Sequence, residues 1–446
     1  MHRHFPLAFA SIVCAASAQD AAQVQVPQTP VPQVHVRGFA NGDKTAVTLS
    51  RDRIVVRFHK ATEAAAIDRL AQDLGLDVVD RGRHDEFVVF RTDADLADGW
   101  IRWFAAQPGV DYAERDAVAH TATAPNDSFW ATYQWNMYNQ GALSNGVASN
   151  FGIQAEAAWD AGARGAGVVV AVVDSGVAYE NFGGWAAAPD LVGRAFVSPY
   201  DAVTGDGHPN DENGHGTHVA GTIGQVTNNG TGCAGVARDC TIMPVRVLDA
   251  SGSGAHSWIA NGITWSADHG AQVINMSLGG GSGSTTLSNA VTYAANAGLT
   301  ICAATGNTGR SGVQYPARYT ACIAVGATRF DGRRPRYSTY GSGIDVVAPG
   351  GDVTVDQNGD GFGDGVLQQT FDPAAPGTFA YYFFQGTSMA TPHVAAVAAL
   401  VRSVRPGYSA AQVRSAIESS CRDLGRSGYD TTYGNGLVDA ATAITR

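Results

Sequence analysis

Five apolar runs dominate the C-terminal part of the chain: VVVAVVD (168–174), IMPVRVL (242–248), QVINMSL (272–278), LTICAATGN (299–307) and CIAVGAT (322–328). They alternate with stretches of helical periodicity. A strand wetted on one face alternates apolar with polar residues; these runs do not, so both of their faces must be covered. That restricts the region to an α/β fold, a mostly parallel central sheet flanked by helices. Open sheets of this kind bind ligands beyond the carboxyl ends of their strands. Asp174, Leu278 and Asn307 stand at such ends.

At 446 residues the chain exceeds one ordinary domain of roughly 100–200 residues, and a second unit is legible upstream. IVVRF (54–58) reads as a strand, Thr62–Leu74 as a helix with Ala64, Ile67, Leu70 and Leu74 on one face, and FVVF (87–90) as a strand. Leu96–Gln107 reads as a second helix and Val110–Glu114 as the start of a last strand. The resulting β-α-β-β-α-β order is a small α+β, ferredoxin-like unit over residues 51–121. Residues 19–50, with Pro27, Pro30 and Pro32, read as a flexible linker. Residues 1–18 read as a secretory signal peptide: His2, Arg3 and His4 precede an apolar stretch that ends in Ala16-Ser17-Ala18. That stretch is short for a membrane span. The mature protein is therefore expected outside the cell, with residues 122–446 as its main domain.

A net charge of -11 and the absence of any Lys/Arg run exclude the electrostatic footprint of a nucleic-acid binder. Loss of Cys14 with the signal leaves Cys233, Cys240, Cys302, Cys322 and Cys421. Disulfides are expected in an exported chain, and an odd count implies a free thiol or an intermolecular bridge. Cys233 and Cys240 are close enough for a loop staple, whereas Cys302 and Cys322 are either a bridge or two buried thiols.

Three short motifs carry chemistry. Ser388 lies in GTSMATPHV, just before the helical AAVAALVRSV. A serine at a helix start is ordinarily a cap, but a serine nucleophile also needs a base within reach. His215, between two glycines in DENGHGTH, supplies one, and Asp174 at the end of VVVAVVD supplies the carboxylate that would orient it. His218 is the structural histidine of that motif. Zinc is disfavoured for the His215/His218 pair, because a metalloprotease HExxH would carry a glutamate between its histidines and here Gly and Thr intervene.

The chain order Asp174, His215, Ser388 and the strings around them resemble the subtilisin family of secreted serine endopeptidases. The resemblance runs from the signal through GVDYAERD (109–116), similar to the end of the family's inhibitor-like propeptide, to YGNGLVDA (433–440). It implies that Asn307, with the Ser388 amide, forms the oxyanion hole. It implies cleft edges at Ser251, Gly252, Ser253 and Gly254 and at Ser277, Leu278 and Gly279, where glycines let a substrate strand pair with main-chain groups. Gln314 corresponds to the S1 floor, and a polar uncharged floor argues against strict Arg or Lys specificity. Thr305 departs from the alanine most members carry, on the wall of that pocket. The segment 51–121 would act as an intramolecular inhibitor removed by self-cleavage between His120 and Pro125, releasing a monomer that acts on protein and peptide substrates.

Structural Ca²⁺ is expected at two places. In DQNGDGFGD, Asp356, Asn358, Asp360, the Phe362 carbonyl and Asp364 follow the spacing of an EF-hand loop, with Gly361 at its sixth position. Leu367 replaces the glutamate of position twelve, so other ligands must complete it. The second place rests on the resemblance, which implies Asp127, Asp190 and Asn229 as side-chain ligands. Two rival readings differ in what they require. A catalytically silent peptide-binding relative should lack a triad residue, and none is lacking. A serine esterase should show GxSxG in the order Ser, Asp, His, whereas GTSMA lacks the closing glycine.

Overall fold

The computed structural model describes residues 33–36, 47–59, 62–82, 87–93, 96–118, 124–138 and 149–446. The signal peptide and residues 120–123 of the expected cleavage segment, His120 to Pro125, lie outside them. The chain divides into two compact units, Met1–His120 and Thr121–Arg446.

The first unit holds β1 (Gln33–Val36), β2 (Val47–Phe58), α1 (Ala64–Leu74), β3 (Asp77–Arg81), β4 (Phe87–Arg91), α2 (Ala97–Ala105) and β5 (Val110–Val118). Its antiparallel sheet runs β5-β2-β4-β3, the order of a split βαβ unit. One departure lies in the stretch expected to be linker: β1 pairs with β2 from Gln33↔Ser50 to Val36↔Val47. QVHV and VTLS both carry β-branched residues, which suit an edge pairing. The core forms where Phe90 stacks on Phe104 at 5.3 Å and Phe58 meets both rings edge-on. Ile54, Val56, Ile67 and Trp100 close around them.

The second unit is built on β6 (Val169–Asp174), β7 (Tyr200–Asp201), β8 (Thr241–Arg246), β9 (Val273–Met276), β10 (Thr300–Ala304), β11 (Cys322–Thr328) and β12 (Val346–Pro349). All seven are parallel, in the order β12-β11-β10-β9-β6-β8-β7. The apolar runs are these strands, and their residues feed two cores, one on each face. The chain moves from β6 to β8 on one side and then to β9 on the other. Strand order thus reverses at β6, which ends in Asp174, and a crevice opens at such a reversal.

Helices α3 (Trp130–Tyr133), α4 (Ala155–Asp160), α5 (His215–Gly224), α6 (His256–Asp268) and α7 (Thr285–Asn296) follow the strands or precede them. A hairpin of β13 (Val366–Phe371) and β14 (Phe379–Phe384) leads into α8 (Thr387–Val404), then α9 (Ala410–Ser420) and α10 (Ala440–Ala443). Helix α8 is almost wholly buried and packs across β9 to β12. Helices α6 and α7 pack against each other on the opposite face. Among the described residues, no helix is long and apolar enough to cross a membrane.

Candidate active site

Asp174 is fully buried at the end of β6, and its Oδ1 accepts the Ser175 amide at 2.8 Å and stands 2.7 Å from His215 Nδ1. His215 opens α5 with its ring partly exposed. Close approach of the two elements depends on Gly216, where a Cβ would lie 2.1 Å from the Gly176 carbonyl oxygen. Burial alone would lower the His215 pKa, but the Asp174 charge and hydrogen bond outweigh it and hold the imidazole above its ordinary value. The pair is therefore poised to take up a proton at Nε2.

Asp211 organises the loop before His215. It is fully buried and accepts bonds from the Ser175 hydroxyl, the amides of Asn213, Gly214 and Thr217, and the Thr217 hydroxyl, at 2.6–2.9 Å. The Ser175 oxygen in turn accepts the Gly216 amide at 2.9 Å. His218 is buried and structural, as expected. Its Nε2 is 3.1 Å from the carbonyls of Val366 and Tyr382, and its ring stacks on Phe384. Burial pushes its pKa down to about 3, so it serves as a neutral clasp on the β13–β14 hairpin.

Ser388 is the second residue of α8. Its carbonyl has no helical donor because Pro392, four residues on, lacks an N–H. The Ser277 hydroxyl donates to it instead at 2.7 Å, itself receiving a bond from Asn275. The Ser388 hydroxyl donates to the Ser277 carbonyl at 3.0 Å rather than to His215. Catalytic hydrogen bonds of free enzymes are often unmade until substrate binds.

Asn307, just past β10, is exposed, and its Oδ1 accepts both the amide and the hydroxyl of Thr387 at 2.9 and 3.0 Å. Those bonds fix the side chain and leave the Nδ2 donors, near Gly386, directed away from Thr387. Thr387 was not foreseen in this role. Gln314 lies between the ends of β9 and β10. A Cβ at Gly306, which has φ +104°, would meet Gln314 Oε1 at 2.1 Å, and one at Gly279 would meet it at 3.3 Å. Thr305 is fully buried, with its hydroxyl on the Thr339 carbonyl.

Ser251, Gly252, Ser253 and Gly254 form an exposed turn gathered on Asp249, whose Oδ1 accepts three bonds from Ser251 and Ser253. Asn213, two residues before His215, donates to the Ala250 carbonyl and ties this turn to the His215 loop. Past β9, Ser277 and Leu278 are buried while Gly279 is exposed, and Gly280 pairs with Tyr315. A recess of about 290 Å³ that the sequence did not signal lies beside Asp211, walled by Trp185, Phe371, Pro376 and Phe379.

This geometry can be set beside known proteins. The sequence matches the Subtilase family over residues 165–436. The chain belongs to the subtilase family. It is similar to thermitase of Thermoactinomyces vulgaris, with 41% identity over 320 residues, 72% of this chain and 99% of the relative. It is similar to subtilisin Savinase of Lederbergia lenta, with 42% identity over 291 residues, 65% of this chain and 96% of the relative. Among solved structures, a protease of Pseudoalteromonas arctica matches with a TM-score of 0.62 and 34% identity, covering 72% of this chain and 99% of that one. This subtilase is a subtilisin-like serine protease.

In this subtilase the segments that carry Asp127, Asp190 and Asn229 converge. Asp190 Oδ1 accepts from Asn229 Nδ2 at 2.7 Å, and its Oδ2 accepts the Tyr381 hydroxyl and the Cys233 amide. Asp127 Oδ2 accepts the Asn228 amide, while its Oδ1 is buried without a partner. Burial raises the pKa of both acids. In the acidic loop, burial, with Asp356 and Asp360 adding to it, pushes Asp364 up to about 6. Among the described residues, no three His, Cys, Asp or Glu side chains form a ready cage. Both places instead offer a few carboxylates among amide and carbonyl oxygens, which is the donor chemistry of a hard cation.

The expected disulfides are not formed: Cys233, Cys240, Cys302, Cys322 and Cys421 are all thiols. For Cys302 and Cys322 the reason is the strand register. Cys302 faces Ile323 and Cys322 faces Ile301, so the two side chains lie on opposite faces of the sheet, in separate cores. Burial raises all five thiols, which keeps them protonated and unreactive.

Proposed function

We propose that this subtilase is a secreted, monomeric endopeptidase that cleaves proteins through an acyl-enzyme on Ser388. The observation that carries the reading is the 2.7 Å contact between Asp174 and His215, which holds the imidazole with Nε2 free to act as base. Ser388 Oγ, turned from the Ser277 carbonyl to Nε2, gives its proton to His215 and attacks the substrate carbonyl. His215 then hands that proton to the leaving amine. The Asn307 Nδ2–H and the Ser388 amide hold the oxyanion. Substrate lies extended between the 251–254 turn and the 277–279 edge, with its P1 side chain toward Gln314.

The N-terminal α+β unit, residues 51–121, serves as the inhibitor of the precursor, and residues 1–18 direct export. Asp127, Asp190 and Asn229 would hold a structural Ca²⁺, and the unpartnered Asp127 Oδ1 fits that role. The reading is tested by expressing the full precursor beside Ser388→Ala. The parent is expected to shorten itself near residues 120–125 and digest casein. The variant is expected to stay full length, with turnover lower by roughly 10⁶. Processing and caseinolysis persisting in the variant would sink the assignment.

A further inference from the structure

Residues 352–364 hang from the turn that presents Ser388. The Val353 amide donates to Gln385 Oε1 at 2.8 Å, and the Gly386 amide donates to the Gly350 carbonyl at 3.0 Å. The base of the loop is closed by an isolated bridge between Asp352 and Asp364, with the Asp352 amide on the Asp364 carbonyl at 2.9 Å. Whatever fixes this loop therefore fixes Gln385 and Gly386, the two residues before Thr387 and Ser388.

Inside the loop the polar groups turn inward. Asp356 accepts the amides of Gly359 and Gly361, Asp360 accepts that of Phe362, and Asp364 Oδ2 accepts that of Gln357. An ionised carboxylate has about four lone-pair sites, so these bonds aim the acids without exhausting them. Asp364 is only 2% exposed, and its Oδ1 has no partner at all. Its other oxygen takes the Gln357 amide inside the loop, and Asp356 and Asp360 stand near enough for their charges to act on it. A buried carboxylate oxygen without a donor is costly unless something else meets it.

We propose that residues 356–364 bind a divalent cation, with Asp356, Asn358, Asp360, the Phe362 carbonyl and Asp364 Oδ1 as ligands, and that its occupancy braces the turn carrying Ser388. The all-oxygen donor set and the absence of His or Cys from the loop select calcium over a transition metal. Asp364 at the ninth position takes the place of the missing glutamate at the twelfth, because Leu367 there is buried at the start of β13. The loop thus delivers the chain into a strand and not into a helix. The bracing half of the proposal rests on Ser388 being the nucleophile; the binding half does not.

The test uses the full Ser388→Ala chain, which does not digest itself. It is stripped with EDTA and dialysed against calcium, and bound metal is counted by elemental analysis. Adding Asp356→Ala and Asp360→Ala, both outside the core, should lower the count by one calcium per chain, and adding Asp190→Ala instead should leave the loop's ion in place. Asp360→Asn alone, a milder change, should weaken calcium binding at least tenfold if the double variant does not fold. An unchanged count and affinity would overturn the site. In chains with Ser388 intact, the double variant should lose several-fold in kcat on a peptide anilide while KM stays within twofold. An unchanged kcat would overturn the bracing role, and neither result depends on the natural substrate.

Discussion

Asp211 sits in the loop before His215 and Asp364 in the loop that hangs from the turn before Ser388, 1% and 2% exposed, and each is raised in pKa by burial. Asp211 is ringed by donors from Ser175, Asn213, Gly214 and Thr217. Asp364 takes the Gln357 amide on Oδ2 and leaves Oδ1 bare. The first loop is complete as a polypeptide, because its own amides neutralise its acid. The second leaves one buried oxygen that its own amides do not meet, and the Arg329 guanidinium acts on Asp364 from outside the loop. Asp174 and Asp127 belong with Asp364, since each also has one buried oxygen without a donor. For Asp174 the complementary charge is the imidazolium of His215, held on the other oxygen; for the other two we propose a bound cation.

The largest effect is expected at Asp174. Asp174→Asn removes the charge that meets the imidazolium and favours the wrong tautomer, so turnover should fall by about 10⁴. The pH profile carries the sign. The Asp174 charge raises the His215 pKa against burial, and kcat/KM rises with pH as the imidazole loses its proton. Without that charge the rise should move to lower pH. A profile of kcat/KM from acid to alkaline pH checks this, and an unmoved midpoint would place Asp174 with the purely structural acids. Next comes Asp211→Ala, which orphans several buried donors at roughly 1–3 kcal/mol each. Urea unfolding in the Ser388→Ala background should show a loss of more than about 4 kcal/mol, in the exceptional range for single substitutions. A loss below about 1 kcal/mol would mean that water replaces the carboxylate easily.

The parallel sheet was legible because fully covered strands leave continuous apolar runs, and Asp174, His215 and Ser388 because each stands in a glycine-bearing motif at a strand end or helix start. Asp211 stood in plain view within DENGHGTH. Its role depends on Ser175, 36 residues upstream, and no local pattern signals that closure. Thr387 anchors Asn307 across 80 residues for the same reason. Strand β1 escaped notice because four residues of edge pairing leave almost no periodicity. Of the two alternatives for Cys302 and Cys322, the structure has the buried thiols; the sequence left both open because separation says nothing about which face of a sheet a side chain takes.

The finest division between the two loops comes from Asp364→Asn. The amide keeps an acceptor for the Gln357 N–H and removes the charge that crowds Asp356 and Asp360. In EDTA the substitution should therefore raise stability, by about 1 kcal/mol for relief of an uncompensated buried charge. In saturating calcium it should lower stability, because a weakened ligand set forfeits part of the linkage term, which is about 2.7 kcal/mol at a hundredfold excess over Kd. Thermal unfolding of the Ser388→Ala chain with and without calcium reads both signs in one experiment. A loss of equal size under the two conditions would make Asp364 a second Asp211, a carboxylate whose work is finished when the chain folds. Opposite signs would show that its bare oxygen is held for an ion.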